Sequence, residues 1–521
     1  MFGLVVLLFL STAGLVAARL RRELGPLPAA LVGLWAAFAT QSALGLALLD
    51  LERLQALPLL AGQAIALGLW ARCLRSRATR EPPRVDRRLV LVGLVVVAAG
   101  VGLRLAPSPY LHGGQDQGLY VNVGHHIART GRLRPIDPLL AGQVRGARAE
   151  DVARAHKVRA LPPDSPLIGV REGRWLAGLH IESARDGRLV PAFFHLLPTW
   201  FAMAELELGF ARSTWPLVLF SLLSLLSMCG LGYRVVRRCG GSRAIAGAAG
   251  LFAGLALALH PLDLWISTFP VSENLARATL LGGAWLALEA EARAGARSSA
   301  GEDRSALLLS LLAGVVFGLG AFARGSVIAL ALTLAVLLLW SPAARPSLRR
   351  ALLLSLVAVV TLAVIQAIEH SWPYFFSAAE RHFGLPRLRP PRHLAAAIAA
   401  GVGGVALFGV ALLTSRLEGR AEALRGRALR VGSAVAVLLA LALAGVDGLL
   451  GRAPWAAEQT AGSVLARHGG LVATVLGGLG LGYAALRADR ALAPWVGLGA
   501  VIALAAFARP GVRYEFYYAR Y

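Results

Sequence analysis

One stretch decides how this chain folds: residues 89–131, "LVLVGLVVVAAGVGLRLAPSPYLHGGQDQGLYVNVGHHIARTG". Its first part is almost wholly apolar and approaches the roughly 20 residues that a helix needs to cross a bilayer. Gly113 and Gly114 then interrupt the chain, and the polar residues 116–130 predict a short helix that Gly131 closes. The stretch therefore predicts a membrane helix that emerges into a folded polar loop.

The rest of the chain repeats the apolar part of this pattern. Hydrophobic residues make up 57% of the 521 residues and charged residues only 16%, a composition typical of a polytopic membrane protein rather than a soluble one. Long apolar runs recur from end to end and predict an all-α fold with about fourteen transmembrane helices. The runs lie near 2–18, 28–49, 55–72, 89–106, 214–233, 244–261, 275–290, 306–323, 325–340, 351–369, 394–414, 430–450, 469–486 and 491–508.

The arginines indicate how these helices are oriented. The formal net charge is +24, but the basic residues form short clusters between apolar runs, where they set topology and do not predict a nucleic-acid partner. Arginine-rich connections alternate with arginine-poor ones, which places the arginine-rich set in the cytoplasm. The long connection 107–212 then lies outside, as do the turns near 262–274, 322–326, 370–393 and 451–468. We expect an integral protein of a bacterial inner membrane.

The long outside loop is predicted to have a mixed α/β structure. Asp186 and Gly187 stand between two extended runs, which is a strong signal for a β-hairpin. The sequence that follows, "LPTWFAMAELELG" (residues 197–209), predicts an amphipathic helix lying on the membrane. Hairpin and helix together would form a platform at the membrane face.

Asp116 begins the predicted loop helix, and two roles fit its position. A carboxylate there can cap the helix by accepting hydrogen bonds from backbone N–H groups. It can also act as a general base, and a cap does not exclude that role. His125 and His126 are adjacent, so they point to different faces of the helix and cannot form a metal-binding pair at helical spacing.

Four segments in chain order resemble the signatures of the GT-C superfamily. They are "GGQDQGLYVNVGHHIARTG" at the start of the outside loop, "VPAFFHLLPTW" before the next span, "HPLDLWISTFPVSENLARATLL" two spans later and "GLGAFARGSVIALAL" after that. More narrowly, the chain resembles the polyprenyl-phosphate-sugar-dependent membrane glycosyltransferases grouped with protein O-mannosyltransferases and lipid A aminoarabinose transferases. The resemblance covers about residues 90–345. It divides the chain into additional N-terminal helices (1–88), a GT-C-like catalytic core (89–345) and C-terminal helices (346–521).

The resemblance implies an inverting enzyme that moves a sugar from a polyprenyl phosphate to a lipid, glycan or protein acceptor at the outer membrane face. Asp116 matches the proposed catalytic base of such enzymes, and Tyr120 matches the aromatic residue one turn later. Glu273 matches the glutamate of the "SE" motif, and Arg324 matches the basic residue near the carrier phosphate. His195, in the segment that closes the loop, is a more distant match.

One outside connection contains arginines where few are expected. The segment "HSWPYFFSAAERHFGLPRLRPPRH" (370–393) carries Arg381 and Arg387, which either contact anionic lipid head groups or form part of a phosphate site. Transfer from a polyprenyl phosphate needs a base for the acceptor hydroxyl and a cation for the leaving phosphate. Arg381 and Arg387 are therefore candidates, together with Arg324, for binding the phosphate.

The sequence departs from the family pattern in two places. Many relatives have a second acid directly after the first, and here that position is Gln117, so the sequence does not support a bound divalent metal or another cofactor. Three apparent spans precede the one that leads into the loop, and the chain ends at "YEFYYARY", where relatives usually continue into further helices. This ending predicts a C-terminally truncated chain.

Two other functions fit part of the sequence. A lipid or sugar transporter, or a flippase, would suit the number of spans, but we find no internal repeat and no acidic residues at mid-depth in the spans. An oligosaccharide polymerase or ligase would also use outside arginines, but it is not expected to carry an acid-headed loop after an early span.

Overall fold

The computed structural model describes residues 3–73, 87–108, 111, 116–156, 174–176, 178–295, 303–340, 345–376, 402–403, 427–439, 471–487 and 489–508. Most of these residues are helical. The helices are α1 (Leu4–Leu24), α2 (Pro26–Asp50), α3 (Ala56–Cys73), α4 (Arg87–Gly102), α5 (Asp116–Thr130), α6 (Pro138–Arg145), α7 (Ala149–His156), α8 (Leu196–Leu208), α9 (Pro216–Arg238), α10 (Arg243–Leu259), α11 (Pro261–Thr268), α12 (Ser272–Gly295), α13 (Asp303–Leu319), α14 (Gly325–Trp340) and α15 (Pro346–His370). Beyond α15, residues 427–439 are helical, and further helices cover Leu471–Arg487 and Ala493–Ala508.

The lengths of the apolar helices show an all-α membrane protein. Within the described residues, five segments are long and apolar enough to cross a membrane: Leu4–Leu24, Pro26–Asp50, Phe210–Arg238, Arg304–Phe322 and Pro346–His370. Shorter apolar helices lie at Ala56–Arg72, Leu91–Gly102, Arg243–Leu259, Gly325–Trp340 and Ala493–Ala503. The predicted count of about fourteen spans is therefore not confirmed. Two of the predicted runs, 394–414 and 430–450, lie mostly outside the described residues.

The helix bundle has two chemically different ends. At one end, which we call the loop end, α5–α8 and a small sheet pack over the helix termini, and Gln366 donates a hydrogen bond to Asp50 across 2.9 Å. At the other, which we call the arginine end, Arg293 donates to the carbonyl of Leu24 across 3.0 Å. Each of these two contacts joins helix ends that the arginine pattern assigns to the same side of the membrane.

The loop contains the predicted hairpin. Strands β1 (Arg174–Leu176), β2 (Leu179–Ser183) and β3 (Arg188–Pro191) form an antiparallel sheet in that order, so the mixed α/β prediction for the loop is confirmed. Gly187 has a φ of +69°, and a Cβ on it would lie too close to the carbonyl of Asp137. Glycine therefore fits the turn for two reasons: it adopts the left-handed backbone without strain, and it has no Cβ that would clash with Asp137.

The helix that follows the hairpin is buried rather than interfacial. Residues 196–203 of α8 are all buried, as is Glu207, so the prediction of an amphipathic helix lying on the membrane is wrong in its placement. The physical reason is that α5 covers α8 on one side, while α1, α2, α3 and α9 pack against it on the others. The close approach of α5 uses Gly124, where a Cβ would lie 2.8 Å from Cβ of Phe201.

An aromatic cluster fixes α8 to the bundle. The rings of Phe38 on α2 and Trp200 on α8 are stacked with centroids 5.3 Å apart, and Phe220 on α9 lies edge-on to Trp200 at 5.6 Å. The indole N–H of Trp200 donates to Ser42 across 3.1 Å, so the polar group of this buried ring is satisfied. Because α8 is held in this way, α5 above it is supported on a rigid surface.

Candidate functional site

The centre of the candidate site is an ion pair at the loop end between two predicted residues. Glu273 lies in the first turn of α12, and its Oε1 is 2.5 Å from Nη1 of Arg324, which stands just before α14. The two side chains are 33% and 39% exposed, so they can meet a ligand. Arg324 Nη1 also lies 3.5 Å from Oγ of Ser272, the first residue of α12.

The short turn before α14 places Arg324 against α12. Residues Gly320–Phe322 form one turn of 3-10 helix that packs on α12, and Arg324 follows directly. A Cβ on Gly320 would lie 2.5 Å from Oγ1 of Thr279 on α12, so glycine allows this close approach. Burial by itself would lower the pKa of Arg324, but Glu273 and neighbouring tyrosines together raise it, so the guanidinium is positively charged.

Asp116 is the first residue of α5, as the sequence predicts. Asp116 is itself exposed, but partial desolvation of its carboxyl raises the pKa, the negative charge of Glu273 raises it further, and Arg324 counteracts part of this shift. The pKa of Asp116 is thus coupled electrostatically to the Glu273–Arg324 pair. A carboxylate with a raised pKa is a stronger base than an ordinary aspartate.

Tyr120 joins α5 to α12 beside the ion pair. It lies one turn further along α5, is buried, and its hydroxyl is 3.2 Å from Oγ of Ser272. Burial raises the pKa of Tyr120 well above its ordinary value, so the phenol stays protonated and acts as a hydrogen-bond donor. Asp116, Tyr120, Glu273 and Arg324, predicted from separate sequence segments, are thus brought together.

His195 lies behind this group rather than in it. It is 2% exposed, and its Nε2 is 3.0 Å from Oγ of Ser371 at the end of α15. Burial lowers the pKa of His195 to about 3, with smaller contributions from His370 and Arg134, so the imidazole is neutral at physiological pH. None of its contacts described here is with Glu273 or Arg324. Its position favours a supporting role over contact with the reacting groups.

Two predicted site residues cannot be placed. Arg381 and Arg387 lie outside the described residues, so their assignment stays a prediction. The segment that leads towards them is described as far as residue 376, and within it Tyr374 packs edge-on to Phe193 with centroids 4.8 Å apart. Tyr374 of the segment 370–393 therefore adjoins the site.

The structure also places functional candidates that the sequence did not reveal. Phe193 lies between Tyr120 and Tyr374, and Ser272 joins Tyr120 to Arg324. Phe193 has no distinctive sequence signal, since phenylalanine is common in membrane proteins. A signal for Ser272 was available in the "SE" motif, where it precedes Glu273.

A second charged network lies deeper, beside the first turns of α12. Arg104 is fully buried and its Nη2 is 2.7 Å from Oδ2 of Asp263, which also pairs with Arg277. Arg277 in turn donates to Asn274 across 2.6 Å. Two guanidinium groups share one carboxylate here, and backbone carbonyls of α4 and α10 accept the remaining hydrogen bonds of Arg104.

The predicted separation of the adjacent histidines holds in the structure. His125 lies 2.6 Å from Oε1 of Glu205 on α8, whereas His126 is turned away towards Thr130. In the part of the chain that the structure describes, no three His, Cys, Asp or Glu side chains are grouped so that they could bind a metal ion.

In this arrangement the Asp116 carboxylate can accept a proton and the Arg324 guanidinium can bind an anion, and both lie at one end of a membrane helix bundle. Comparisons with protein-family models, with curated proteins and with solved structures found no match to this chain.

Proposed function

We propose that this protein is an integral membrane glycosyltransferase of the GT-C type that transfers a sugar from a polyprenyl phosphate. The observation that carries the proposal is the half-exposed Glu273–Arg324 ion pair at the loop end, whose two charges act on the Asp116 carboxyl. A raised pKa suits a base for an acceptor hydroxyl. A half-exposed guanidinium suits a leaving phosphate, because arginine binds phosphate oxygens through a fixed fork of N–H donors.

The proposed reaction is a single inverting displacement. The acceptor hydroxyl oxygen forms a bond to the anomeric carbon while the bond from that carbon to the phosphate oxygen breaks. The hydroxyl proton passes to the Asp116 carboxylate, and the polyprenyl phosphate leaves with the bonding electron pair. Arg324 stabilises the charge that develops on the leaving oxygen, and Glu273 holds Arg324 in place through their 2.5 Å contact.

The same proposal specifies where the reaction takes place and which molecules take part. The loop end faces the outside of a bacterial inner membrane, and about fourteen helices span that membrane when all predicted runs are included. The donor is a polyprenyl-phosphate sugar, and the acceptor is a lipid, glycan or protein. Membrane lipids surround the bundle, and Arg381 and Arg387 add positive charge near the phosphate.

The decisive experiment measures release of free polyprenyl phosphate from a panel of polyprenyl-phosphate hexoses and pentoses. The protein is reconstituted in lipid nanodiscs with a membrane extract as the source of acceptor. We expect the wild type to release carrier from at least one donor and Asp116→Asn to lose about 10²- to 10⁴-fold of that rate, the usual contribution of a general base.

Asp186→Asn is the matched control, because Asp186 is a loop carboxylate that is 54% exposed in the hairpin turn. It should release carrier at the wild-type rate. Full activity of Asp116→Asn would overturn the assignment of the base. Folded wild-type protein that releases no carrier from any donor would instead favour a transporter or flippase, or a polymerase or ligase that uses lipid diphosphates.

A further inference from the structure

Phe193 has a backbone conformation that a phenylalanine rarely adopts. Its φ is +73°, and the only other described residue with a positive φ that is not glycine is Glu52, in a turn. Left-handed backbone costs a bulky residue free energy and persists only where the surroundings enforce it. Such strain is concentrated at functional sites, so the contacts of Phe193 call for an explanation.

A chain of two hydrogen bonds holds the carbonyl group of Phe193. Oγ of Ser371 lies 2.6 Å from the carbonyl oxygen of Phe193 and 3.0 Å from Nε2 of His195. A carbonyl oxygen only accepts, so Ser371 donates its single proton to Phe193. His195 must then donate from Nε2 to Ser371, which requires the neutral tautomer protonated at that nitrogen. Burial of His195 favours the neutral form.

The strained backbone aims the ring of Phe193 into the candidate site. Its centroid is 5.2 Å from that of Tyr120 and 4.8 Å from that of Tyr374. Tyr120 is buried and bonded to Ser272 beside Arg324, whereas Phe193 and Tyr374 are only half-buried. Phe193 and Tyr374 therefore form a partly open aromatic wall next to the group that would hold the phosphate.

We propose that Phe193 and Tyr374 form the subsite for the sugar ring of the lipid-linked donor, and that Ser371 and His195 are positioning residues that hold Phe193 in this subsite. The inference rests on the proposed function. A sugar ring presents C–H groups on its faces and hydroxyls around its edge, so a partly open aromatic wall beside charged groups complements it, even though its two rings meet edge-on. The sugar of the donor is bonded directly to the phosphate, and the wall adjoins Arg324 through Tyr120 and Ser272.

This subsite is tested by measuring how tightly donor lipids bind, rather than by measuring the rate of sugar transfer. The probes are polyprenyl phosphate alone and its glucosyl, mannosyl and arabinosyl esters, titrated onto the protein in nanodiscs. We expect at least one ester to bind the wild type more tightly than the bare carrier does. Phe193→Gly should lose about tenfold in affinity for that ester, the upper range for an aromatic contact, with no change for the bare carrier.

Glycine is the informative replacement because it adopts a positive φ without strain, so the variant removes the ring and keeps the backbone. Tyr374→Leu provides a second variant in case Phe193→Gly does not fold, and it should lose affinity for the same ester. Phe252→Leu is the matched control, since Phe252 is 73% exposed on the side of the bundle. It should leave both affinities unchanged.

The positioning residues are tested by the same selectivity for the ester over the bare carrier. Ser371→Ala and His195→Ala should reduce that selectivity, and His195→Gln, which keeps an N–H donor near the position of Nε2, should restore it. Wild-type affinity of Phe193→Gly and Tyr374→Leu for the ester would overturn the subsite, as would an absence of any preference for an ester. Failure of the transferase proposal is distinguishable, because it appears in the release assay with the wild type.

Discussion

Oε1 of Glu273 and Nη1 of Arg324 lie 2.5 Å apart at the loop end, and both charges act on the Asp116 carboxyl, whose pKa is already raised by desolvation. The two charges act on Asp116 in opposite directions, Glu273 raising the pKa of its carboxyl and Arg324 lowering it. The ion pair therefore does more than join α12 to the turn before α14. It also shifts the pKa of the candidate base Asp116 and presents the Arg324 cation to a ligand.

Replacing Glu273 with glutamine should move the pH dependence of activity. The substitution removes the charge that raises the pKa of Asp116 and leaves Arg324 free to lower it. Asp116 would then remain ionised at lower pH, so the acidic limb of the kcat/KM profile should shift to lower pH. The measurement is the rate of carrier release between pH 4.5 and 8. An unchanged acidic limb would contradict the coupling between these two carboxylates.

Arg324→Ala should have the opposite effect on this limb and a large effect on rate. Loss of the positive charge lets the pKa of Asp116 rise, which moves the acidic limb to higher pH. Loss of a group that stabilises developing charge typically reduces kcat by about 10²- to 10³-fold. Arg132→Ala is the control, because Arg132 is 58% exposed and pairs with Glu52 away from the site. Equal activities of the two variants would remove Arg324 from the phosphate site.

His195 should make the fold sensitive to acid. Burial lowers the pKa of His195 to about 3, whereas an unfolded histidine has a pKa of about 6.5. Between these values the unfolded state binds the proton and the folded state does not, so the free energy of unfolding falls as the pH drops from about 6.5 towards 3. The slope for one such group is at most about 1.4 kcal/mol per pH unit.

His195→Gln removes this titrating group and keeps a hydrogen-bond donor. The measurement is the melting temperature of wild type and variant in detergent at pH 7.5 and pH 5. We expect the wild type to lose more stability between the two pH values than the variant does. Parallel losses would show that His195 is not the group responsible.

Asp263→Asn should be strongly destabilising. It leaves Arg104, whose side chain is fully buried, and Arg277 without the carboxylate that they share. Removing one partner of a buried ion pair costs roughly 3–5 kcal/mol because the remaining charge is uncompensated. Asp489→Asn is the control, since Asp489 is 43% exposed in its pair with Arg238 and such pairs contribute about 0–1 kcal/mol. Similar melting temperatures of the two variants would contradict the interpretation of Arg104, Asp263 and Arg277 as a buried network.

Labelling of single cysteines should establish the sidedness of the bundle. In a background with Cys73, Cys229 and Cys239 replaced by serine, Asp186→Cys at the loop end should react with a membrane-impermeant maleimide added to intact cells. Arg243→Cys, exposed at the start of α10 at the arginine end, should react only after permeabilisation. Labelling in the reverse order would invert the proposed orientation and with it the location of the site.

Local patterns in the sequence determined much of this molecule. The apolar runs specify membrane helices, because length and composition alone decide whether a segment can cross a bilayer. The hairpin at Asp186 and Gly187 and the helix from Asp116 to Thr130 were equally predictable, because their turn and boundary residues act within a few positions. Asp116, Tyr120, Glu273 and Arg324 were each identifiable as site candidates from motifs.

Only the tertiary structure decided how these pieces combine. The sequence does not show that α8 is enclosed, since its apolar residues would suit a membrane surface or a protein interior equally well. Nor does it show the positive φ of Phe193, which is held by Ser371 from a segment far along the chain. The pKa of Asp116 likewise depends on charges from α12 and the turn before α14. Side-chain chemistry is local and can be predicted from sequence, whereas burial, strain and electrostatic coupling arise between segments that only folding brings together.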